Sequence, residues 1–181
     1  MNMFELGLLD KIGEIFGCAF LDKAMPMITM LGDAGIFWIV LSVIFLIFKK
    51  TRKTGLSMGI ALIIGLIIGN LILKNVVARI RPYDLNPEVM LLVEKLHDFS
   101  FPSGHTLASF EAATAIFIRN KKLGIPALIL AVLIAFSRLY LYVHYPTDVL
   151  AGALLGITVA ILATYIVNKI YSKFELKIAN P

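Results

Sequence analysis

The sequence predicts an all-α integral membrane protein: a helical bundle of about five spans, preceded by an N-terminal amphipathic helix in the membrane interface. Two observations carry this prediction. Hydrophobic residues make up 59% of the 181 residues and charged residues 16%, with a mean hydropathy of +0.88. Soluble domains carry about 25% charge. Apolar stretches also recur along the chain, and most approach the roughly 20 residues that cross a bilayer.

The N-terminal segment, residues 1–27, is predicted to hold the interfacial helix. Over residues 3–23 the charged side chains cluster on one side of a helical wheel, and the apolar side chains lie mostly opposite. A sixth, imperfect span is the alternative. We expect no cleavable signal peptide, because the first charge is Glu5 and no basic leader precedes it. The single cysteine, Cys18, can form no internal disulfide.

The transmembrane core is predicted to occupy residues 28–171, and the whole chain to form one domain. The five expected spans are residues 28–48, 56–73, 105–118, 123–142 and 149–167. In the second and fifth spans small residues recur at a spacing of four, as in Gly65 and Gly69 or Gly152 and Gly156. This spacing lets helices approach closely, so it predicts tight packing.

Basic residues orient the predicted bundle. They follow the first, third and fifth spans, at 49–53, 119–122 and 169–177. The positive-inside rule places these clusters in the cytoplasm. The remaining connections then lie on the outer face of a multi-pass cell-membrane protein. Because the net charge of +5 is distributed in this way and not on one soluble face, it does not indicate a nucleic-acid partner.

Three motifs fall on the predicted outer face. They are Lys74-x6-Arg81-Pro82, Pro102-Ser103-Gly104-His105 and Ser137-Arg138-x5-His144-x3-Asp148. Arginine offers a planar fork to phosphate oxygens and lysine a point charge, so the basic members suit a phosphate ligand. The alternative for Lys74 alone is that it reaches for the membrane surface from the end of a span.

The two histidines suit phosphoryl transfer. His144 and Asp148 are four residues apart, so the carboxylate can accept the Nδ1 proton of the ring and leave Nε2 free to attack. Asp148 could instead cap the fifth span, or do both. Ser103 and Gly104 open the third span, where free amides attract anions. An ordinary helix cap, with His105 as a polar interface residue, is the alternative there.

These motifs resemble the type 2 phosphatidic acid phosphatase superfamily of membrane lipid phosphatases, over roughly residues 56–165, and every defined position is matched. The resemblance implies that His144 is the nucleophile, that Asp148 orients it, and that His105 protonates the leaving oxygen and later activates water. The residues implied to hold the phosphate are Lys74, Arg81, Ser103, Gly104 and Arg138. Neither a metal nor a cofactor is implied. The chain departs in one respect: two clear spans precede the first motif, where many members have three.

The expected substrate is a lipid phosphate or diphosphate at the outer leaflet, with undecaprenyl diphosphate placed first and phosphatidylglycerophosphate or phosphatidate second. A vanadate-type haloperoxidase is a rival that the spans argue against. A lipid-binding or transport protein without catalysis is another, and it leaves both histidines without a role. We expect Glu111 to be buried as a hydrogen-bonded or protonated acid and not to be catalytic. His97 and Asp98 are expected in a solvated loop. Oligomeric state is not predicted.

Overall fold

The computed structural model describes the backbone of residues 2–179 and the side chains of residues 3–173. This part of the chain is helical and contains no strand, which confirms the predicted all-α class. The helices are α1 (Asn2–Phe16), α2 (Ala19–Met30), α3 (Ile36–Ile47), α4 (Arg52–Gly65), α5 (Lys74–Val77), α6 (Pro82–Leu85), α7 (Gly104–Arg119), α8 (Lys121–Tyr140) and α9 (Pro146–Ala179). A 3-10 turn at Asp33–Gly35 precedes α3, and a π-helix at Leu66–Leu73 joins α4 to α5.

Helix α7 is the centre of the bundle and packs against α3, α4, α8 and α9. The small residues predicted to allow close packing lie against it. A Cβ atom at Gly156 would stand 2.7 Å from the carbonyl oxygen of Leu107, and one at Gly65 would stand 1.8 Å from Oε1 of Glu111. Glycine is therefore required at Gly156, where a Cβ would meet the backbone of α7, whereas a Cβ at Gly65 would displace the end of the Glu111 side chain.

Fewer helices than the five predicted spans are individually long and apolar enough to cross a membrane. In the described residues, three helical stretches are long and apolar enough to span a membrane, namely Arg52–Leu85, Lys121–Tyr140 and Pro146–Lys173. The stretches Ala19–Met30 and Asp33–Ile47 are bent by 40° relative to each other, and they count as a fourth span if the pair crosses the membrane as one broken helix. The predicted third span is α7, whose 16 residues cover about 24 Å and stop short of the roughly 30 Å hydrocarbon core.

The N-terminal segment forms two helices where the sequence predicted one over residues 3–23. The chain breaks between α1 and α2 at Gly17 and Cys18. Helix α1 buries Glu5 and Leu9 against the bundle, and exposes Phe4 on its other side. The buried face of α1 thus carries an acid as well as apolar residues. The helical-wheel pattern predicted that face to be apolar.

The predicted first span, residues 28–48, is interrupted. Helix α2 ends at Met30, and α3 begins only at Ile36. Between them Ala34 has a φ of 48° and Gly35 a φ of 66°, the left-handed backbone that turns the chain. The stretch looks continuous in the sequence because Asp33 is its only charge, and the break presents that charge to the start of α7.

Candidate active site

His144 lies in the short connection between α8 and α9 and is buried. Its Nδ1 is 3.4 Å from the hydroxyl oxygen of Ser100 and 3.5 Å from Oδ2 of Asp148. Its Nε2 lies on the other side, 3.4 Å from Nη1 of Arg81. Burial, aided by the positive charge of Arg81 and Arg138, outweighs Asp148 and lowers the pKa of His144 to about 3. The ring is therefore neutral near pH 7, as a nucleophile requires.

Asp148 is fully buried at the start of α9 and has three donors. Its Oδ2 accepts hydrogen bonds from the Ser100 hydroxyl at 2.5 Å and from the backbone N–H of Tyr145 at 3.0 Å. Its Oδ1 accepts one from Nη1 of Arg79 at 2.5 Å. The carboxylate thus meets both predicted descriptions: it caps α9, and it is fixed beside His144.

Lys74 and Arg81 converge on Asp98, a residue expected in a solvated loop. Lys74 donates a hydrogen bond to Oδ2 of Asp98, and Nη2 of Arg81 donates to Oδ1 at 2.6 Å. Burial alone would raise the pKa of Asp98, but the two cations hold it at about 2. Lys74 is 8% exposed, so it does not reach for the membrane surface. Asp98 lies in a loop with its side chain 52% exposed, as predicted, but the sequence did not predict that it pairs with both cations.

His105 is the second residue of α7 and pairs with an acid that the motifs do not contain. Its Nε2 lies 2.8 Å from Oδ1 of Asp33, in the break between α2 and α3. The break packs closely on the ring, because a Cβ at Gly32 would stand 2.6 Å from Cδ2 of His105. Each histidine of the site therefore has its own aspartate.

The other three predicted phosphate ligands lie at different depths. Gly104 lines the central cavity, and a Cβ there would stand 2.9 Å from Oδ1 of Asn70. Ser103 is buried behind it, and its backbone N–H donates to the carbonyl oxygen of Asp148 at 3.1 Å. Arg138 is 2% exposed, donates to the hydroxyl of Thr29, and leaves its Nε without a partner. Ser103 and Arg138 do not line the cavity wall.

These residues surround a cavity of about 330 Å³. Its polar end is lined by Lys74, Arg81, His105 and His144, and its apolar walls include Leu62, Leu66 and Leu107. Glu111 lines the same cavity, is 1% exposed, and has no partner for Oε1. Glu111 is buried as predicted, and of the two predicted forms the protonated acid agrees better than the hydrogen-bonded one with an Oε1 that has no partner among the described residues. Such a cavity can hold a phosphate at one end and a hydrocarbon chain at the other.

Arg79 is a further residue of the site that the motifs do not contain. Its guanidinium binds Glu5 of α1 on one side and Asp148 on the other, and stacks on the ring of Tyr145 with 3.8 Å to the centroid. It therefore ties the N-terminal helix to the acid that lies beside His144. Among the described side chains, no group of three or more histidine, cysteine or acidic residues has the arrangement of a metal site.

Comparison with known proteins agrees with this geometry. The sequence model of the PAP2 superfamily matches residues 53–172. Undecaprenyl-diphosphatase of Sulfolobus acidocaldarius is 40% identical over 130 residues, which cover 71% of this chain and 63% of that protein. Undecaprenyl-diphosphatase BcrC of Bacillus subtilis is 34% identical over 142 residues, which cover 78% of this chain and 72% of that protein.

A solved structure has the same fold. The transmembrane PAP2 type phosphatidylglycerolphosphate phosphatase from Bacillus subtilis superimposes with a TM-score of 0.76 at 27% identity, covering 93% of this chain and 86% of that one. The family match extends over most of the chain and includes all three motifs, so the resemblance seen in the sequence is confirmed. The chain belongs to the PAP2 superfamily.

Proposed function

We propose that this protein hydrolyses a lipid phosphate or diphosphate through a phosphohistidine formed on His144. The observation that carries the proposal is a single cavity lined by two histidines and two cations at one end and by apolar side chains at the other. Lys74 and Arg81 would bind the phosphoryl oxygens, and the apolar walls would contact the first part of the lipid. The three relatives named above are phosphatases by name, which agrees with this enzyme class, and a further relative from Bacillus licheniformis is named a bacitracin transport permease protein.

The reaction would proceed in two steps. In the first, Nε2 of His144 attacks the terminal phosphorus, the P–N bond forms, and the P–O bond to the lipid breaks while His105 gives its proton to the departing oxygen. In the second, His105 takes a proton from water, whose oxygen attacks the phosphorus. The P–N bond breaks, inorganic phosphate leaves, and His144 is neutral again.

Positive charge would supply most of the transition-state stabilisation. Lys74 and Arg81 already hold one carboxylate, that of Asp98, so the site accepts an anion at this place. A phosphoryl group carries more charge than a carboxylate and would compete with Asp98 for both cations. Arg138, buried behind them, would add to the positive field, and Asp148 would stabilise the positive charge that His144 acquires.

The substrate we infer first is a polyprenyl diphosphate, undecaprenyl diphosphate in particular, at the outer face of the membrane. Two relatives are named undecaprenyl-diphosphatase. A terminal phosphoryl group that leaves a monophosphate behind also has a better leaving group than one that leaves an alkoxide. Phosphatidylglycerophosphate is the second candidate, favoured by the name of the solved structure.

The two histidines provide the test of mechanism, because they should fail differently. His144→Ala should form no acid-labile phosphoenzyme. His105→Ala keeps the nucleophile and should lose roughly 10²–10⁴ in rate through lost acid–base catalysis. The exposed third histidine supplies the control, His97→Ala, which should be nearly silent. Phosphoenzyme in His144→Ala would overturn the assignment. No phosphate release from any lipid by the wild type would favour a binding or transport protein.

The substrate is decided by kcat/KM for undecaprenyl diphosphate, phosphatidylglycerophosphate and phosphatidate on one preparation. A tenfold preference corresponds to about 1.4 kcal/mol of transition-state discrimination. We expect at least that preference for undecaprenyl diphosphate. The same preference for a glycerophospholipid would assign the enzyme to the second candidate without changing the mechanism.

A further inference from the structure

A second cavity, of about 490 Å³, lies at the opposite end of α7 from the active site. It shares no lining residue with the active-site cavity. His105 is at the start of α7 and Arg119 at its end, and 14 residues at 1.5 Å each separate them by about 21 Å. Whatever binds here is therefore not the group that reacts at His144.

The cavity is basic. Its lining includes Lys49, Lys50, Arg52, Lys53 and Arg119. No acidic residue lines it among the side chains that the structure describes. Such clusters commonly serve only to orient a membrane protein, and then they project separately into water. Here they surround a recess of the size that usually binds a ligand.

Arg119 gives the clearest sign of a missing anion. Among the side chains that the structure describes, its buried Nε has no hydrogen-bond partner, and its Nη2 donates to the hydroxyl of Ser57 at 3.5 Å. A guanidinium nitrogen that is buried without a partner is unfavourable. An anion in the recess would satisfy it.

The backbone and the remaining walls add two further features. Helix α4 begins at Arg52 beside the cavity, and its N-cap residue Thr51 donates its hydroxyl to the carbonyl of Phe45 instead of capping the helix. The first amides of a long helix favour a negative ligand. The recess also has apolar walls, from Phe45, Ile116 and Leu123. The ligand should therefore be an anion attached to an apolar group.

We propose that this cavity binds the phosphate headgroup of an anionic membrane lipid, in the leaflet opposite to the active site. The shared chemistry is a phosphate, which basic recesses between membrane helices are suited to bind. The headgroup would pair with Arg52 and Arg119 and would hold together the two helix connections that border the recess, residues 48–51 and Asn120. The acyl chains would lie against the apolar residues on the same side.

The test compares protein in phosphatidylcholine nanodiscs with and without phosphatidylglycerol. Phosphatidylglycerol should raise the Tm of the wild type, and lipid should remain bound in native mass spectrometry. In Arg52→Gln/Arg119→Gln the bound lipid should fall about tenfold or more, because two charge-assisted contacts are lost. Lys121→Gln/Lys122→Gln is the matched control, since it removes the same charge nearby without touching the cavity.

Each other outcome overturns part of the proposal. Equal lipid binding by the cavity variant and the control would refute the site. Stabilisation by inorganic phosphate alone, equal to that by the lipid and lost in the cavity variant, would mean that the ligand is a free anion. If the double variant does not fold in phosphatidylcholine, Lys50→Glu serves instead. It changes an exposed residue of the rim and should weaken lipid binding by repulsion, and unchanged binding would refute the site.

Discussion

Replacing Arg79 by glutamine should destabilise the protein and slow its reaction, although Arg79 belongs to none of the three sequence motifs. The guanidinium donates to Asp148 at 2.5 Å and to the hydroxyl of Thr147 at 2.7 Å, and also binds Glu5. Among the hydrogen bonds of the described residues, Arg79 is the only group that donates to both carboxylates, those of Glu5 and Asp148. Thr147 donates to Glu5 alone. Arg79 therefore acts as a positioning residue for Asp148.

The magnitude follows from burial. The side chains of Arg79, Glu5 and Asp148 are 13%, 5% and 0% exposed. Removing one partner of such a buried pair costs about 3–5 kcal/mol, because it leaves an uncompensated charge. At roughly 2–4 °C per kcal/mol for a chain of this length, the Tm should fall by roughly 6–20 °C. A displaced Asp148 should lower kcat by up to about 10². KM should change little, since Arg79 does not line the cavity.

The assay is thermal unfolding in nanodiscs, combined with the rate of phosphohistidine formation. The control is Lys95→Gln, which removes a cation paired with Asp84 at 3.7 Å where both side chains are about half exposed or more. That change should cost less than about 1 kcal/mol. The double variant Glu5→Gln/Arg79→Gln should be less destabilised than the sum of the two single variants, by about 1–3 kcal/mol, because the partners interact.

Three results would contradict the reasoning. A Tm change in Arg79→Gln no larger than that of Lys95→Gln would mean that the buried pair does not stabilise the fold. Strict additivity with Glu5→Gln would mean that the N-terminal helix is not coupled to the site. A raised KM with kcat unchanged would mean that Arg79 binds the substrate and does not position Asp148.

Three further predictions concern the reaction and its place in the membrane. Asp33→Asn should lower kcat about tenfold on phosphatidate, whose alkoxide leaving group needs a proton, but much less on p-nitrophenyl phosphate, whose leaving group does not; an equal loss on both would remove Asp33 from acid catalysis. EDTA should leave turnover nearly intact and vanadate should inhibit, because Lys74 and Arg81 would supply the stabilising charge; a strict Mg²⁺ requirement would contradict this. In a Cys18→Ser background, an impermeant thiol reagent on intact cells should label Met90→Cys and not Lys122→Cys; the reverse would place the site inside.

The long helices could be predicted from the sequence, and the breaks within the first 50 residues could not. Helix α8 covers residues 121–140 where the sequence predicted 123–142, because a continuous apolar stretch bounded by charges has few alternatives. The predicted span 28–48 is broken because two consecutive residues, Ala34 and Gly35, adopt left-handed backbone. Apolar patterning contains no information on φ, so it merges the two helices.

The three motifs contain every histidine and cation that lines the polar end of the cavity. They do not contain the residues that pair with these groups. Asp33, Arg79 and Asp98 each act across a separation in sequence, 72 residues in the case of Asp33 and His105. No local pattern brings such pairs together. One signal was available: Asp33 is the only charge in an otherwise apolar stretch, and such an acid is a functional candidate by default. Asp98 and Arg79 stand among other polar residues and carried no comparable signal.

The two histidine–aspartate pairs differ in a way that suits the proposed division of work. His144 and Asp148 have side chains 2% and 0% exposed, whereas His105 and Asp33 have side chains 15% and 58% exposed. A nucleophile must be neutral and fixed, and burial provides both conditions. A group that alternates between acid and base must exchange protons with water in every cycle, which a fully buried ring could not do. The exposure of the Asp33 pair therefore supports the role in proton transfer proposed for His105, independently of the order of the motifs.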